Sequence, residues 1–174
     1  MAPKQRILET AFELFPKQGY NSTGINQIIA ESKVAKASFY QHFKSKEDLC
    51  VEFLNKRHFY WFDQLHLFTS KSETNQTKIV ASFDFLIFMN EKENFRGCSF
   101  LNILSEIPAD NTKILEVIQS HKNDLREYFR TITVEENTAD HVYLLFESAL
   151  IESQLFKNQW PIEKAKTIVK NLIQ

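Results

Sequence analysis

The chain has 174 residues, 43% of them hydrophobic, and a formal net charge of −1, room for one large or two small domains whose core needs no disulfide or metal staple. Only three glycines and four prolines are present, too few for turn-rich sandwiches and barrels, and Gly19, Gly24 and Gly97 are too scattered for a dinucleotide fingerprint or a phosphate-binding loop. Residues 1–46 carry +4 and residues 47–174 carry −5, the balance of a nucleic-acid reader joined to something else.

Helical periodicity runs along the whole chain. Ile7, Leu8, Ala11, Phe12, Leu14 and Phe15 recur at three- and four-residue steps and predict a first helix over 4–17, with Gly19 as its left-handed C-cap. Thr23 is the expected N-cap of a short second helix, marked by Ile25, Ile28 and Ile29 and ending near Glu31. After a turn over 32–35, a third helix over 36–43 places Phe39 and Phe43 on one face. Ser45, with acids at Glu47 and Asp48, reads as the cap of a long helix to about Thr69. Further helices are expected at 77–91, 97–107, 111–132, 135–157 and 161–174, separated by Asn94, Pro108–Asp110, Thr133 and Asn158–Pro161. The expectation is an all-α protein of about nine helices, divided into a three-helix head over 1–46 and a helical body over 47–174.

Several chemistries find no support. Cys50 and Cys98 make neither a disulfide framework nor a metal spacing, and His58 and His66 lie on one helix without a third ligand, so no metal is expected. Cys98 reads as a buried thiol, with a sensing role open only if a neighbouring cation such as Arg96 activates it. Nucleophile–base and paired-carboxylate patterns are absent, which predicts a non-enzyme without a cofactor. The N-terminus lacks a signal peptide's apolar core, and the most apolar stretch, Phe83–Met89, is broken by Asp84 and too short to span a bilayer. A cytoplasmic protein without membrane contact is expected.

Two short helices joined by a four-residue turn form a helix-turn-helix pattern over about 24–43. In this geometry the second helix enters the major groove and needs polar side chains for base edges, with donors around it for phosphates. With Phe39 and Phe43 facing inward, Lys36, Ser38, Tyr40, Gln41 and His42 face outward. Lys44 and Lys46 flank the start of the long helix, whose free N–H groups also favour a phosphate.

The stretch ILETAFELFPKQGYNSTGINQIIAESKVAKASFYQHFKSKEDL, residues 7–49, resembles the TetR family of transcriptional repressors. The resemblance implies an all-α homodimer with a three-helix DNA-binding head and a divergent body that binds a small effector and dimerises through its last two helices. It places Thr23, Lys36, Tyr40, His42 and Lys44 at phosphates, and Ser38 and Gln41 at bases. Many members carry Gly in the turn where this chain has Lys33; a non-Gly residue in a left-handed turn costs about 1 kcal/mol. A second stretch, RGCSFLNILSEI over 96–107, resembles a segment of one branch of the family.

Sixteen phenylalanines supply more ring surface than dimerisation requires. A mostly apolar effector cavity is therefore expected among the body helices, lined by Phe59, Phe62, Phe83, Phe88, Phe100 and Phe129. Asp84, in the middle of an apolar helix, needs either an internal base or a cationic or donor group on the ligand. The last two helices carry apolar stripes, from which Tyr143, Phe146, Ala149, Leu150 and Ser153 and then Ile162, Ala165, Val169 and Leu172 are expected to form a two-fold, four-helix interface. The function expected is a DNA-binding transcriptional regulator, a repressor released from a palindromic double-stranded operator by a small hydrophobic or aromatic effector. The alternative is a helical protein without an effector, either a constitutive DNA binder or a partner-binding adaptor.

Overall fold

A computed structural model describes residues 1–173. Among the described residues there are nine helices and no strand: α1 (Pro3–Gln18), α2 (Ile25–Ser32), α3 (Lys36–His42), α4 (Lys46–Thr69), α5 (Asn75–Lys92), α6 (Ser99–Leu104), α7 (Thr112–Thr131), α8 (Glu136–Phe156) and α9 (Trp160–Leu172). Pro3 opens α1, where its missing N–H is no loss. Gly19 ends it at φ 94, ψ 159, outside the left-handed helical basin but still a backbone that favours glycine. Ser45 caps α4 by accepting the Asp48 N–H at 3.1 Å.

Two local expectations are corrected. Thr23 does not cap α2; the N-cap is Gly24, and the Thr23 hydroxyl donates to the Gly19 carbonyl at 2.6 Å. The helix expected over 97–107 shrinks to the six residues of α6. Asn94, Phe95 and Gly97 all have positive φ ahead of it, and beyond it the Glu106 and Ile107 N–H groups both turn back to the Ile103 carbonyl.

The chain packs as two compact units. One holds Met1–Phe59 with Ser99–Gln119, the other Tyr60–Cys98 with residue 120 onward. The first therefore contains more than the 1–46 head, because the start of α4, all of α6 and the first part of α7 belong with it. Its buried side chains include Ile7, Leu8, Phe15, Ile28, Phe39, Leu49, Phe53, Phe100, Ile103 and Ile114. Phe53 meets Phe12 and Phe15 at ring distances of 4.7 and 5.3 Å.

The second unit is built on α5, α8 and α9, which contact one another, around Phe83, Leu86, Phe129, Val142, Phe146, Ile162 and Val169. Polar ties fix these helices in register. Asn90 Nδ2 donates to Ser153 Oγ at 2.8 Å and to Gln159 Oε1 at 3.1 Å, and Gln159 Nε2 donates to the Ile87 carbonyl at 3.0 Å.

Candidate nucleic-acid interface

The turn between α2 and α3 is made by Lys33 at φ 54, ψ 44, a left-handed residue. The Lys33 N–H reaches the Ala30 carbonyl at 3.2 Å and the Val34 N–H reaches the Ile29 carbonyl at 3.3 Å, so the α2 carbonyls left open at its end are satisfied. Lysine thus occupies the conformation that glycine usually takes, and its side chain is exposed.

On α3, Phe39 and Phe43 are buried with ring centroids 6.0 Å apart. The opposite side presents Lys36, Tyr40, Gln41 and His42, all exposed, with Ser38 half-buried and Lys44 exposed just beyond the helix. Tyr40 rests its ring edge on Phe39 at 5.3 Å, which leaves its hydroxyl as the outward group. Lys33, Lys36 and Lys44 have no carboxylate partner among the described residues, so their charge is available to a polyanion. Two exposed positions stand beside the expected contacts: Lys33 adds a cation in the turn, and Ala37 is small enough to allow close approach.

Two of the expected DNA contacts fall elsewhere. Thr23 is fully buried, with its hydroxyl committed to Gly19, so its side chain cannot touch a phosphate in this arrangement. Lys46 turns inward: its ammonium donates to the Tyr20 carbonyl at 3.0 Å and the Thr23 carbonyl at 3.3 Å, and lies 4.2 Å from the centroid of the Tyr20 ring. Burial holds the Lys46 pKa below the usual lysine range, against the opposing pull of Cys50 and Glu106. Beside it, burial pushes the Cys50 thiol up to about 12, so it is a core thiol rather than a nucleophile.

Within its own unit, each residue expected to line an effector cavity has a definite place. Phe83 and Phe129 both stack edge-on against Phe146, at 5.5 and 5.1 Å, as core rings. Phe62 packs beside Trp61 and His121. Phe88 lies at the surface against Phe68 at 5.7 Å, with the Lys92 ammonium 5.4 Å from its ring centroid. Phe59 is 65% exposed, and Phe100 is buried in the first unit. Asp84 pairs with Lys166, the internal-base outcome, and its side chain is partly exposed. A cavity of about 520 Å³ lies at the start of α5, walled by Ile79, Ile132, Val134, Thr138 and Leu172. A neighbouring one of about 450 Å³ is bordered by Val80, Asp84 and Lys170.

The expected dimer residues are corrected in the same way. Phe146, Ala149, Leu150, Ser153, Ile162, Ala165 and Val169 are buried within the chain itself, because they form the face that α8 and α9 turn to α5 and to each other. Ser153 is held there by Asn90. Tyr143 is half-buried. The outward apolar face consists of Leu144, Ile151 and Leu155 on α8 and Trp160, Ile168 and Leu172 on α9, exposed by between 41% and 68%. Leu172, expected from the sequence at the interface, belongs to it.

Cys98 is buried beside the half-buried Lys122 and Glu147. The Lys122 ammonium pairs with Glu147 and donates to Cys98 Sγ at 3.4 Å. Burial would lower the Lys122 pKa, but Cys98 and Glu147 outweigh it and hold it above the usual range. Among the described residues no three His, Cys, Asp or Glu side chains converge as metal ligands would, and no helix is long and apolar enough to cross a membrane.

Comparison with known proteins locates the strongest likeness in the head. Residues 7–53 match the family described as bacterial regulatory proteins, tetR family. The HTH-type transcriptional regulator QacR of Staphylococcus aureus (strain Mu50) is 41% identical over 75 residues, which is 43% of this chain and 40% of QacR. The match thus spans less than half of that relative's own length. The HTH-type transcriptional regulator SAUSA300_2515 of Staphylococcus aureus (strain USA300) is 25% identical over 166 residues, 95% of this chain and 79% of the relative. Among solved structures, SCO4454, a TetR-family transcriptional regulator from Streptomyces coelicolor, superposes with a TM-score of 0.88 at 23% identity, over 99% of this chain and 89% of that one. This last likeness is one of fold.

Proposed function

We propose, from the premise that this chain belongs to the TetR family of bacterial regulatory proteins, that it is a cytoplasmic, DNA-binding transcriptional regulator that acts by binding and not by catalysis. The observation that carries the reading is the outward side of α3 and its flanks. Lys33, Lys36 and Lys44, without carboxylate partners among the described residues, surround Gln41 and His42 on a helix whose opposite side is fixed by Phe39 and Phe43. Cations position a helix on the phosphate backbone, and the short polar groups between them read base edges. The lysines serve phosphates, Tyr40 and His42 support them, and Gln41 with Ser38 reads bases.

The regulator works as a homodimer on a palindromic operator. The support is the apolar face of α8 and α9, which a second copy would cover with its own equivalent face. A repressor released by a small hydrophobic effector is the finer reading. Its support is the cavity of about 520 Å³ beside α5, large enough for a drug-sized molecule. A constitutive binder without effector is the second reading, favoured by Phe83, Phe129 and Phe146, which spend their ring surface on one another.

The test is selection of duplexes from a random-sequence library by the purified protein. The expected product is an inverted repeat with half-sites about 34–36 Å apart, or a multiple. Enrichment of no sequence would overturn the DNA-reading function. Enrichment that survives saturating amounts of apolar cations, neutral aromatics and fatty acids would favour the constitutive binder.

A further inference from the structure

Six residues, Gly19–Gly24, join α1 to α2, and side chains from two distant parts of the chain hold their backbone. Glu106, just past α6, takes the acidic side. Its Oε2 accepts the Asn21 N–H at 2.7 Å, and its carbonyl accepts Asn21 Nδ2 at 2.6 Å. Gly19 makes this approach possible, since a Cβ there would lie 2.9 Å from Glu106 Oε2. Lys46, at the start of α4, takes the basic side through the carbonyls of Tyr20 and Thr23. One anion thus holds an N–H and one cation holds two carbonyls of the same short loop. Two further contacts tie the stretch after α6 to the first turn of α4: Asn111 Nδ2 donates to Glu47 Oε1 at 2.8 Å, and Lys113 pairs with Asp48.

We propose that Glu106 is a positioning residue for DNA reading. Its carboxylate and carbonyl set the loop that orients α2 on α1, and α1 is also the helix against which α3 packs. Charge-assisted hydrogen bonds to backbone groups are directional and roughly twice as strong as neutral ones. In this role Glu106 acts through the loop and not through a contact of its own with DNA. It fixes the angle at which the Gln41 side of α3 meets a groove, and phosphate attraction by the exposed lysines does not depend on it. The inference rests on the DNA-reading function proposed above and adds to it a residue 85 positions away from the loop it governs.

The experiment compares the full-length parent, Glu106→Ala and Glu106→Gln on two duplexes of equal length: one that the parent selects and a scrambled one. Amide hydrogen exchange at Asn21 is measured alongside. Glu106→Ala is expected to weaken binding to the selected duplex about tenfold while shifting the scrambled one by less than about twofold. The Asn21 amide should exchange faster in the same variant. Glu106→Gln, whose side-chain oxygen still accepts from Asn21, should recover most of the affinity. Undiminished binding of the selected duplex by Glu106→Ala, or an equal loss on both duplexes, would overturn the role. If Glu106→Ala does not fold, Asn21→Asp, which removes the Nδ2 donor and faces Glu106 with a like charge, is read against the same two duplexes. If the parent selects no duplex, the DNA-reading function fails on its own. The clamp is then decided by exchange at Asn21, where an unchanged rate in Glu106→Ala sinks it and a faster one supports it.

Discussion

The outward faces of α3 and of the α8–α9 pair are built on the same plan with opposite chemistry. Each helix buries one side in its own unit and shows the other. α3 shows Lys36, Tyr40, Gln41 and His42, whereas α8 and α9 show Leu144, Ile151, Leu155, Trp160 and Ile168. A polar, cationic face gains by meeting a polyanion without leaving water fully, while an apolar face gains by leaving it. The difference teaches that amphipathicity has a direction only when one face is polar. On α3 the two phenylalanines define the inside. On α8 apolar residues occur nearly all round, and the inside is chosen by what α5 and α9 offer.

The largest expected effect separates the two faces of α8. Phe146→Ala removes a fully buried ring that meets Phe83 and Phe129, and should cost about 3–5 kcal/mol of folding stability. Urea unfolding measures it, and a loss below about 1 kcal/mol would mean that this face is not core. Leu155→Glu should do the reverse. It leaves the melting of the single chain nearly unchanged but weakens self-association by about 2 kcal/mol or more, as expected for a charge placed in an apolar interface. Sedimentation at graded concentrations tests this; an unshifted dimer would move the interface away from α8.

Within the head the expected effects are smaller and differ in kind. Gln41→Ala should cost about 1–3 kcal/mol on a selected duplex and change base preference. Lys44→Ala should weaken all duplexes alike and reduce the salt slope by about one unit. Lys46→Ala, whose ammonium is spent on carbonyls, should leave that slope unaltered. If Lys46→Ala flattens the slope and Lys44→Ala does not, the two lysines have been assigned the wrong way round.

The smallest effect concerns acid stability. The Lys113 hydrogen bond holds the Asp48 carboxyl below the usual aspartate range. A carboxylate whose pKa is depressed on folding contributes stability above its unfolded value, about 3.9, and loses that contribution as pH falls through the folded value. Lys113→Met should therefore start acid unfolding at a higher pH. The stability difference at neutral pH should stay within about 1 kcal/mol, because the pair is partly exposed. Acid titration followed by circular dichroism reads the shift, and coincident curves would show that the pair does no work.

How much of this could be read from the sequence follows the same logic. The helices and the turn at Lys33 were legible because period, caps and breakers are local. The reading side of α3 was legible because Phe39 and Phe43 leave only one face for polar groups. Thr23 was misread because a hydroxyl serves equally as a cap, a phosphate donor or a donor to its own preceding turn, and only the close approach of Gly19 selects the last. Lys46 looked like every other flanking lysine; nothing local says that carbonyls 26 and 23 residues upstream converge on it. The packing of Phe83 and Phe129 on Phe146 was illegible for a similar reason, since ring count gives the amount of apolar surface and not whether rings face a cavity or each other. Asp84 found Lys166 across 82 residues, a pairing that no spacing rule reaches.

The tether from residues 106–113 also has a meaning in time. During synthesis the three head helices leave the ribosome long before Glu106, Asn111 and Lys113 exist. At about 5–20 residues per second, the roughly 60 residues between Lys46 and Glu106 take about 3–12 seconds to appear. Until then the Asn21 amide lacks Glu106, the Glu47 carboxylate lacks Asn111 and the Asp48 carboxylate lacks Lys113. A newly made head therefore carries its cationic face before it carries the contact that orients that face, and becomes a finished reader only when the chain is well into its body.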